Sequence, residues 1–469
     1  MDYNKAKFII PEMKKIIWLA ISLLLINLYK TSAQIQDTSD QGKKWTLEDC
    51  ITYAVENNIG LQRQKLLTGS AEVDLTKSRL NLLPSLNFGS DARVGFGRSI
   101  DPVTNLITFK QNISNSYSLS SSFQLFGGFA ALNTISANKF MLKAGLETEK
   151  VTRNTLIVNI LGAYYQALYA RGLENAAKMQ LDLSEKQLFR IQKTVETGRE
   201  ALSKQYEMES RVSEDRLSYT VAKNNTSQAI TSLKQMLQLE PGTEFDILMP
   251  DTYNTLITDV SFNTDSIYNI ASQTLPRLKA INYELIASRK QVAAARGYIS
   301  PRLTAGGSLF TGYYKVISEG AEGQDSFSSQ LKNNNSQAIF LSLDIPIFNN
   351  FTVARNIKLA KLRKQDAELR LELEKNALYT EIENACLNFN RGKDEFSAAV
   401  ANLEYNKKSF DAVEKKFESG LVDVTDYSAA MTTLFRADTE TLRTRLQLLI
   451  RRLTIQFYST GEYENLINN

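Results

Sequence analysis

The chain has 469 residues, room for two or three domains, and its 43% hydrophobic and 23% charged content excludes a disordered or collagenous protein. Its 55 basic and 51 acidic residues leave only +4, too little for a general field that would hold nucleic acid. It contains no histidine, which removes Ser-His-Asp and Cys-His catalysis and every imidazole metal site.

Along the chain, the first element is an export signal. Met13-Lys14-Lys15 is a basic start, 16–28 is apolar apart from Ser22 and Asn27, and Thr31-Ser32-Ala33 offers small residues for cleavage. Residues 1–33 are therefore expected to be a removed signal peptide, since the apolar run is short for a spanning helix. Gln34, not cysteine, follows, so no lipid anchor is expected there. A helical piece over 47–82 comes next. Period-two patterns then predict strands at about 85–96 and 117–126: Leu86, Phe88, Ala92 and Val94 alternate with Asn87, Gly89, Asp91 and Arg93. No proline occurs in 103–240, and the residues there are good helix formers. That predicts a long helix over about 130–198 and a return helix over 201–238. Pro241-Gly242 and Pro250-Asp251 mark a linker at 241–264.

The same order then repeats. A helical piece covers 266–299, strands are expected at about 302–313 and 337–348, and long helices follow over 352–419 and 422–459. Leu-Phe-Gly-Gly-Phe at 125–129 matches Ile-Phe-Asn-Asn-Phe at 347–351, and Gly198 stands to Gly420 at the same spacing. Ala177, Leu181, Leu188, Ile191 and Val195 correspond to Ala399, Leu403, Phe410, Val413 and Phe417, all apolar at coiled-coil spacing. Residues 46–240 and 265–461 thus read as two copies of one strand-plus-helix unit.

Each strand has one apolar face and one small or polar face, and about ten residues suffice to cross a bilayer when tilted. Aromatics gather at strand ends, at Phe96, Tyr117, Phe126, Tyr313, Tyr314 and Phe348. The connections 97–116 and 315–336 are long and polar. Four strands cannot close a barrel, and an open edge in hydrocarbon leaves backbone groups unpaired. Three copies would supply twelve strands and closed symmetry. The expected fold is an α+β membrane protein: four strands per chain in a shared 12-stranded trimeric β-barrel, continued by an antiparallel coiled-coil tunnel of helices roughly 100 Å long.

With these landmarks in place, the chain resembles the TolC family of trimeric outer-membrane efflux and secretion channels over about 45–461. Trp45-Thr46-Leu47-Glu48 with Ala54, Asn57, Asn58 and Leu61 is similar to the family's opening helix. Phe126-Gly127-Gly128 and Phe348-Asn349-Asn350 sit where that family leaves the barrel for the long helix. The resemblance implies a passive duct from periplasm to exterior in the cell outer membrane. It also implies a homotrimer, a periplasmic membrane-fusion adaptor, an inner-membrane RND pump or ABC transporter, and contact with outer-membrane lipid. The family's adaptor-docking turns fall on Thr197-Gly198-Arg199 and Ser419-Gly420-Leu421, without the usual valine. Asp426 matches one carboxylate of the family's entrance ring, while the second ring position is Ala429. The family's charged lock would fall on Val422 and Lys204 and is not reproduced. Asp423, Lys415 and Lys416 read as surface charge.

No active site, cofactor or metal site is expected. Glu381 and Glu383 are two apart on a helix and share no face, and Cys50 and Cys386 could pair or remain buried thiols. The competing reading is an exported periplasmic coiled-coil scaffold without a barrel.

Overall fold

The computed structural model describes residues 44–100, 107–109, 111–248, 262–317 and 325–461. The expected signal segment and most of the 241–264 linker lie outside them. Among the described residues four strands form one antiparallel sheet: β1 (Ser85–Gly95), β2 (Gln111–Phe126), β3 (Arg302–Ile317) and β4 (Ser336–Asp344), in that spatial order.

The register separates two faces. Phe88 lies opposite Leu119, Leu119 opposite Leu309, and Leu303 opposite Leu343, so one face is apolar across the whole sheet. Ser118, Ser120 and Ser122 of β2 fall on the other face, with Gly89, Asn87 and Ser85 of β1. Phe340 also belongs there, and its ring covers Gly306, where a Cβ would collide with it.

The strands differ in length from the sequence expectation. β2 begins at Gln111 and β3 runs to Ile317, because backbone pairing continues past Asn115, which breaks the apolar alternation between Tyr117 and Ile113. β4 stops at Asp344, ahead of Pro346, which has no N–H to donate to a ladder. The 315–336 connection contains a short helix, α7 (Phe327–Asn333). Its Gln330 side chain accepts from the Tyr314 N–H and donates to the Tyr314 carbonyl, at 2.9 and 3.0 Å. The amide thus caps β3 where β4 no longer reaches.

The helical pieces before each hairpin are broken in two. Helix α1 (Leu47–Asn57) carries a capping box made by Thr46 and Asp49 and gives way at Asn58 to α2 (Ile59–Leu80). The single piece expected over 266–299 is instead α5 (Thr264–Thr274) followed by α6 (Pro276–Gly297), because Pro276 suits a first helical position and cannot continue a helix. After each hairpin runs a helix of 67 residues, α3 (Ala130–Glu196) and α8 (Thr352–Glu418), about 100 Å at 1.5 Å per residue. The return helices are α4 (Leu202–Leu237) and α9 (Val424–Thr460). Between them, α6 packs against both α3 and α8, whereas α2 packs on α3.

Of the four core clusters among the described residues, two tie the broken helices to the long ones. In the first, Cys50 and Ala54 of α1 meet Ile160, Tyr164 and Ala167 of α3 and Leu233 of α4. In the second, Ile267 and Ala271 of α5 meet Ile382, Cys386 and Phe389 of α8 and Ile455 of α9. Tyr164 and Ala167 in one repeat correspond to Cys386 and Phe389 in the other. The large side chain has moved along the seam and a small one has taken its place, so the volume is conserved. The Tyr164 hydroxyl donates to the Leu248 carbonyl at 2.7 Å, giving the buried phenol a partner. Cys50 and Cys386 are both buried and free. Burial pushes the Cys50 thiol up to about 12, so it stays protonated.

Candidate functional site

The residues singled out by sequence fall at two levels: the turns joining the long helices, and the elbows where strands become helices.

At the turns, α3 and α8 end identically. The Gly198 N–H donates to the Val195 carbonyl and the Arg199 N–H to Thr194, both at 2.9 Å. Gly420 donates to Phe417 at 3.0 Å and Leu421 to Lys416 at 2.9 Å. This is the Schellman closure, which needs a left-handed residue, and Gly198 and Gly420 have φ of +70° and +73°. Thr197, Gly198, Arg199, Ser419, Gly420 and Leu421 are all exposed.

The two tips lie side by side in this chain. Between them is a cleft of 530 Å³ lined by Arg190, Lys204, Phe417, Val422 and Asp423, among others. Lys204 pairs with Glu207 at 3.1 Å and stands 3.9 Å from Asp423. The Glu207 carboxylate, and more weakly Asp423, raise the Lys204 pKa. Asp423 is more than surface charge, since its carboxylate caps α9 by accepting from the Asp426 N–H at 2.9 Å. A polar residue three after a tip glycine and just before a heptad run was the available signal for that cap. Asp426 itself is exposed in the first turn of α9, and Ala429 is exposed one turn on.

Further up, sequence reasoning missed a polar seam. Arg211 of α4 donates to the Thr432 hydroxyl of α9 at 2.7 Å and lies 3.4 Å from Asp215. Asp215 is buried near Gln180 and Ser184 of α3, and desolvation raises its pKa against the pull of Arg211. Below the seam, Tyr427 stacks on Phe417 at 4.6 Å. These contacts come from residues far apart in sequence, so no local pattern announces them.

At the elbows, Gly128 and Phe129 are both left-handed, as are Asn350 and Phe351. The Ala130 N–H closes on the Gly127 carbonyl at 3.2 Å, and Thr352 on Asn349 at 3.0 Å. Two consecutive positive φ values with that bond make a type I′ turn. Gly128 is obligatory for a second reason: a Cβ there would run into the Gly297 carbonyl and Ser300. Phe126 meets Phe129 edge-on at 5.6 Å, and Phe348 meets Phe351 at 5.7 Å. An L residue in this conformation costs about 1–2 kcal/mol, most of all when bulky.

Among the described residues no three Cys, Asp or Glu side chains are grouped to hold a metal ion, and no helix is long and apolar enough to cross a membrane.

Residues 267–460, the second repeat, match the profile of the family described as outer membrane efflux protein. Over nearly its whole length the chain is similar to exported outer-membrane channel proteins. It is 21% identical over 421 residues to toxin and drug export protein A of Aggregatibacter actinomycetemcomitans, covering 89% of this chain and 86% of that one. It is 23% identical to outer membrane protein TolC of Escherichia coli, covering 84% and 79%. Its fold is similar to the CmeC outer membrane channel of Campylobacter jejuni, with a TM-score of 0.73 at 17% identity over 90% of this chain and 88% of that one. The open-state MtrE outer membrane channel of Neisseria gonorrhoeae gives 0.71 at 18%, over 89% of each. At such identities the structural likeness speaks for the fold alone. The matched family and the curated relatives are outer-membrane efflux and export proteins, and they do not favour the periplasmic scaffold. They are transport channels rather than enzymes.

Proposed function

We infer that this chain is a subunit of an outer-membrane efflux or secretion channel, that three copies close one 12-stranded barrel over a helical tunnel, and that the duct is passive. The observation that carries this reading is the unequal treatment of equivalent elements. Among the described residues the sheet ends at β1 and β4 with no strand beyond either, and edges in hydrocarbon must pair. Helix α6 is seated between α3 and α8, while α2, its counterpart, leaves Leu66 and Val73 on an exposed flank, 76% and 67%. Leu362, Leu369 and Leu373 of α8 are likewise exposed, by 52%, 66% and 70%. The repeat tells how these should meet. Phe140 of α3 lies 6.1 Å from Tyr283 of α6. By the repeat spacings, Phe140 corresponds to Leu362 and Tyr283 to Leu66, so Leu362 of one copy packs on Leu66 of the next.

The test is a cysteine pair. Leu66→Cys with Leu362→Cys, in a chain whose Cys50 and Cys386 are replaced by alanine, gives a covalent trimer on oxidation. Each single variant stays monomeric in denaturant. Absence of cross-linking in the double variant contradicts the packing.

In the same reading the exposed turns at 197–199 and 419–421 are where the hairpins of a periplasmic membrane-fusion adaptor dock, with an RND pump or ABC transporter behind it. Three Asp426 carboxylates near the axis would favour cations at the entrance. Asp426→Asn is expected to lower the cation preference of single channels in planar bilayers, and an unchanged reversal potential removes Asp426 from the lumen. The landmarks Phe126-Gly127-Gly128 and Phe348-Asn349-Asn350 form the exits from the barrel.

A further inference from the structure

The lower halves of the two long hairpins are each zipped by an apolar cluster: Leu181, Ile191, Met208 and Val212 in α3–α4, and Phe410, Tyr427 and Met431 in α8–α9. Beside them runs the polar seam. Gln180, Ser184 and Gln187, at spacings of four and three on α3, are buried, as is Asp215 of α4. A buried polar group without a partner has lost its water and gained nothing in exchange. Several such atoms gather here: Gln180 Nε2, Arg211 Nε, Asp215 Oδ2 and the Ser428 hydroxyl. Unmatched groups in a folded protein call for an explanation, and the spacing on α9 supplies one.

Arg211 spans the seam. Its Nη2 donates to the Thr432 hydroxyl at 2.7 Å, and that hydroxyl donates onward to the Ser428 carbonyl at 2.8 Å. Ser428 lies four residues before Thr432, one helical turn nearer the tip and on the same face. It offers the same acceptor group, buried and unused. One turn the other way stand Phe435 and Arg436, which have no acceptor for a guanidinium. The face of α9 toward Arg211 thus carries two stations, one in use and one idle. Arginine is suited to step between them, because its donors form a rigid fork at the end of a long stem that supplies part of the reach. Asp215, one turn along α4, lies 3.4 Å from the same Nη2 and keeps the guanidinium in the seam.

We propose that Arg211 is a two-station clasp between the hairpins, holding Thr432 in this structure and Ser428 in a second register of α9 against α4. Bringing Ser428 level with Arg211 draws the start of α9 away from the tip by up to one turn, about 5.4 Å. Asp426 and the turn at 419–421 travel with it, and Lys204 and Asp423, 3.9 Å apart in this structure, separate. Packed helices shift in such discrete steps because interdigitated side chains admit separate arrangements rather than a continuum. The clasp lies within one chain, so it stands independently of the three-copy barrel.

The test reads the register directly. In a chain whose Cys50 and Cys386 are replaced by alanine, the exposed Ser213 of α4 and Thr425 of α9 are changed to cysteine and spin-labelled. Labelled chains are diluted in unlabelled ones, and the distance within one chain is measured by double electron–electron resonance in detergent. Thr432→Val removes the station in use while keeping its volume. It should at least triple the share of molecules at a second distance, several ångströms from that of the parent. Thr432→Ser keeps the hydroxyl and should match the parent. Ser428→Ala added to Thr432→Val should abolish the second distance. A single, unchanged distance in Thr432→Val overturns the clasp. So does a second distance that survives Ser428→Ala, which would mean that the seam merely loosens. Should Thr432→Val not fold, Thr432→Ala, smaller and also without the hydroxyl, reads the same outcomes.

Discussion

Asp215 is the most unusual single residue in the helical part, a carboxylate 4% exposed with its pKa raised chiefly by desolvation. A raised carboxylate binds its proton more tightly in the folded than in the unfolded chain. Its contribution to stability is therefore full at pH below the unfolded value and is lost as pH rises through the folded value. Asp215→Asn should then be at least as heat-stable as the parent at neutral pH, with the difference closing on acidification below the ordinary carboxylate range. A variant much less stable at pH 7 would mean that Arg211 outweighs desolvation. Gly420 makes a plainer case. At φ +73° with open space around it, Gly420→Ala meets no neighbour but forces an L side chain into the left-handed region, costing about 1–2 kcal/mol, confined to the tip. Amide exchange at Leu421 should quicken while core amides are unchanged.

At the scale of elements, the two repeats solve one packing problem with different side chains. Phe389 is 1% exposed and fills the volume that Ala167 leaves to Tyr164 in the other repeat. Phe389→Ala should cost about 3–5 kcal/mol, read as a large fall in the thermal midpoint. Ala167→Phe should also destabilise, by overpacking beside Tyr164. The helices were the most legible part of the sequence, because proline-free stretches with heptad apolar residues admit little else. The apolar strand cores, around Leu86–Val94 and Ile339–Leu343, were legible from their alternation. The distal ends of β2 and β3 were not, since Asn115 interrupts the apolar alternation between Ile113 and Tyr117 while backbone pairing continues. At the site, Gly198 and Gly420 could be read from their spacing. The role of Asp423 as a cap and the Arg211–Thr432 bond could not, because they depend on which helices end up side by side.

At the scale of the whole molecule, a chain that is self-similar but not self-sufficient has to find its missing contacts in another copy. Repeat 1 finds repeat 2 beside it, through α3 on α6 and β2 on β3. Repeat 2 and the far edge of repeat 1 find only open flanks, at β4, α8, β1 and α2. Closed symmetry is the arrangement that satisfies both flanks with one interface. The most direct test is the mass of the native protein, extracted from outer membranes and measured in mild detergent. A particle of three subunits that needs detergent for extraction is the predicted result. A water-extractable protein, or a stable detergent-bound monomer, would contradict the shared barrel and leave the strands as hairpins that pair with nothing.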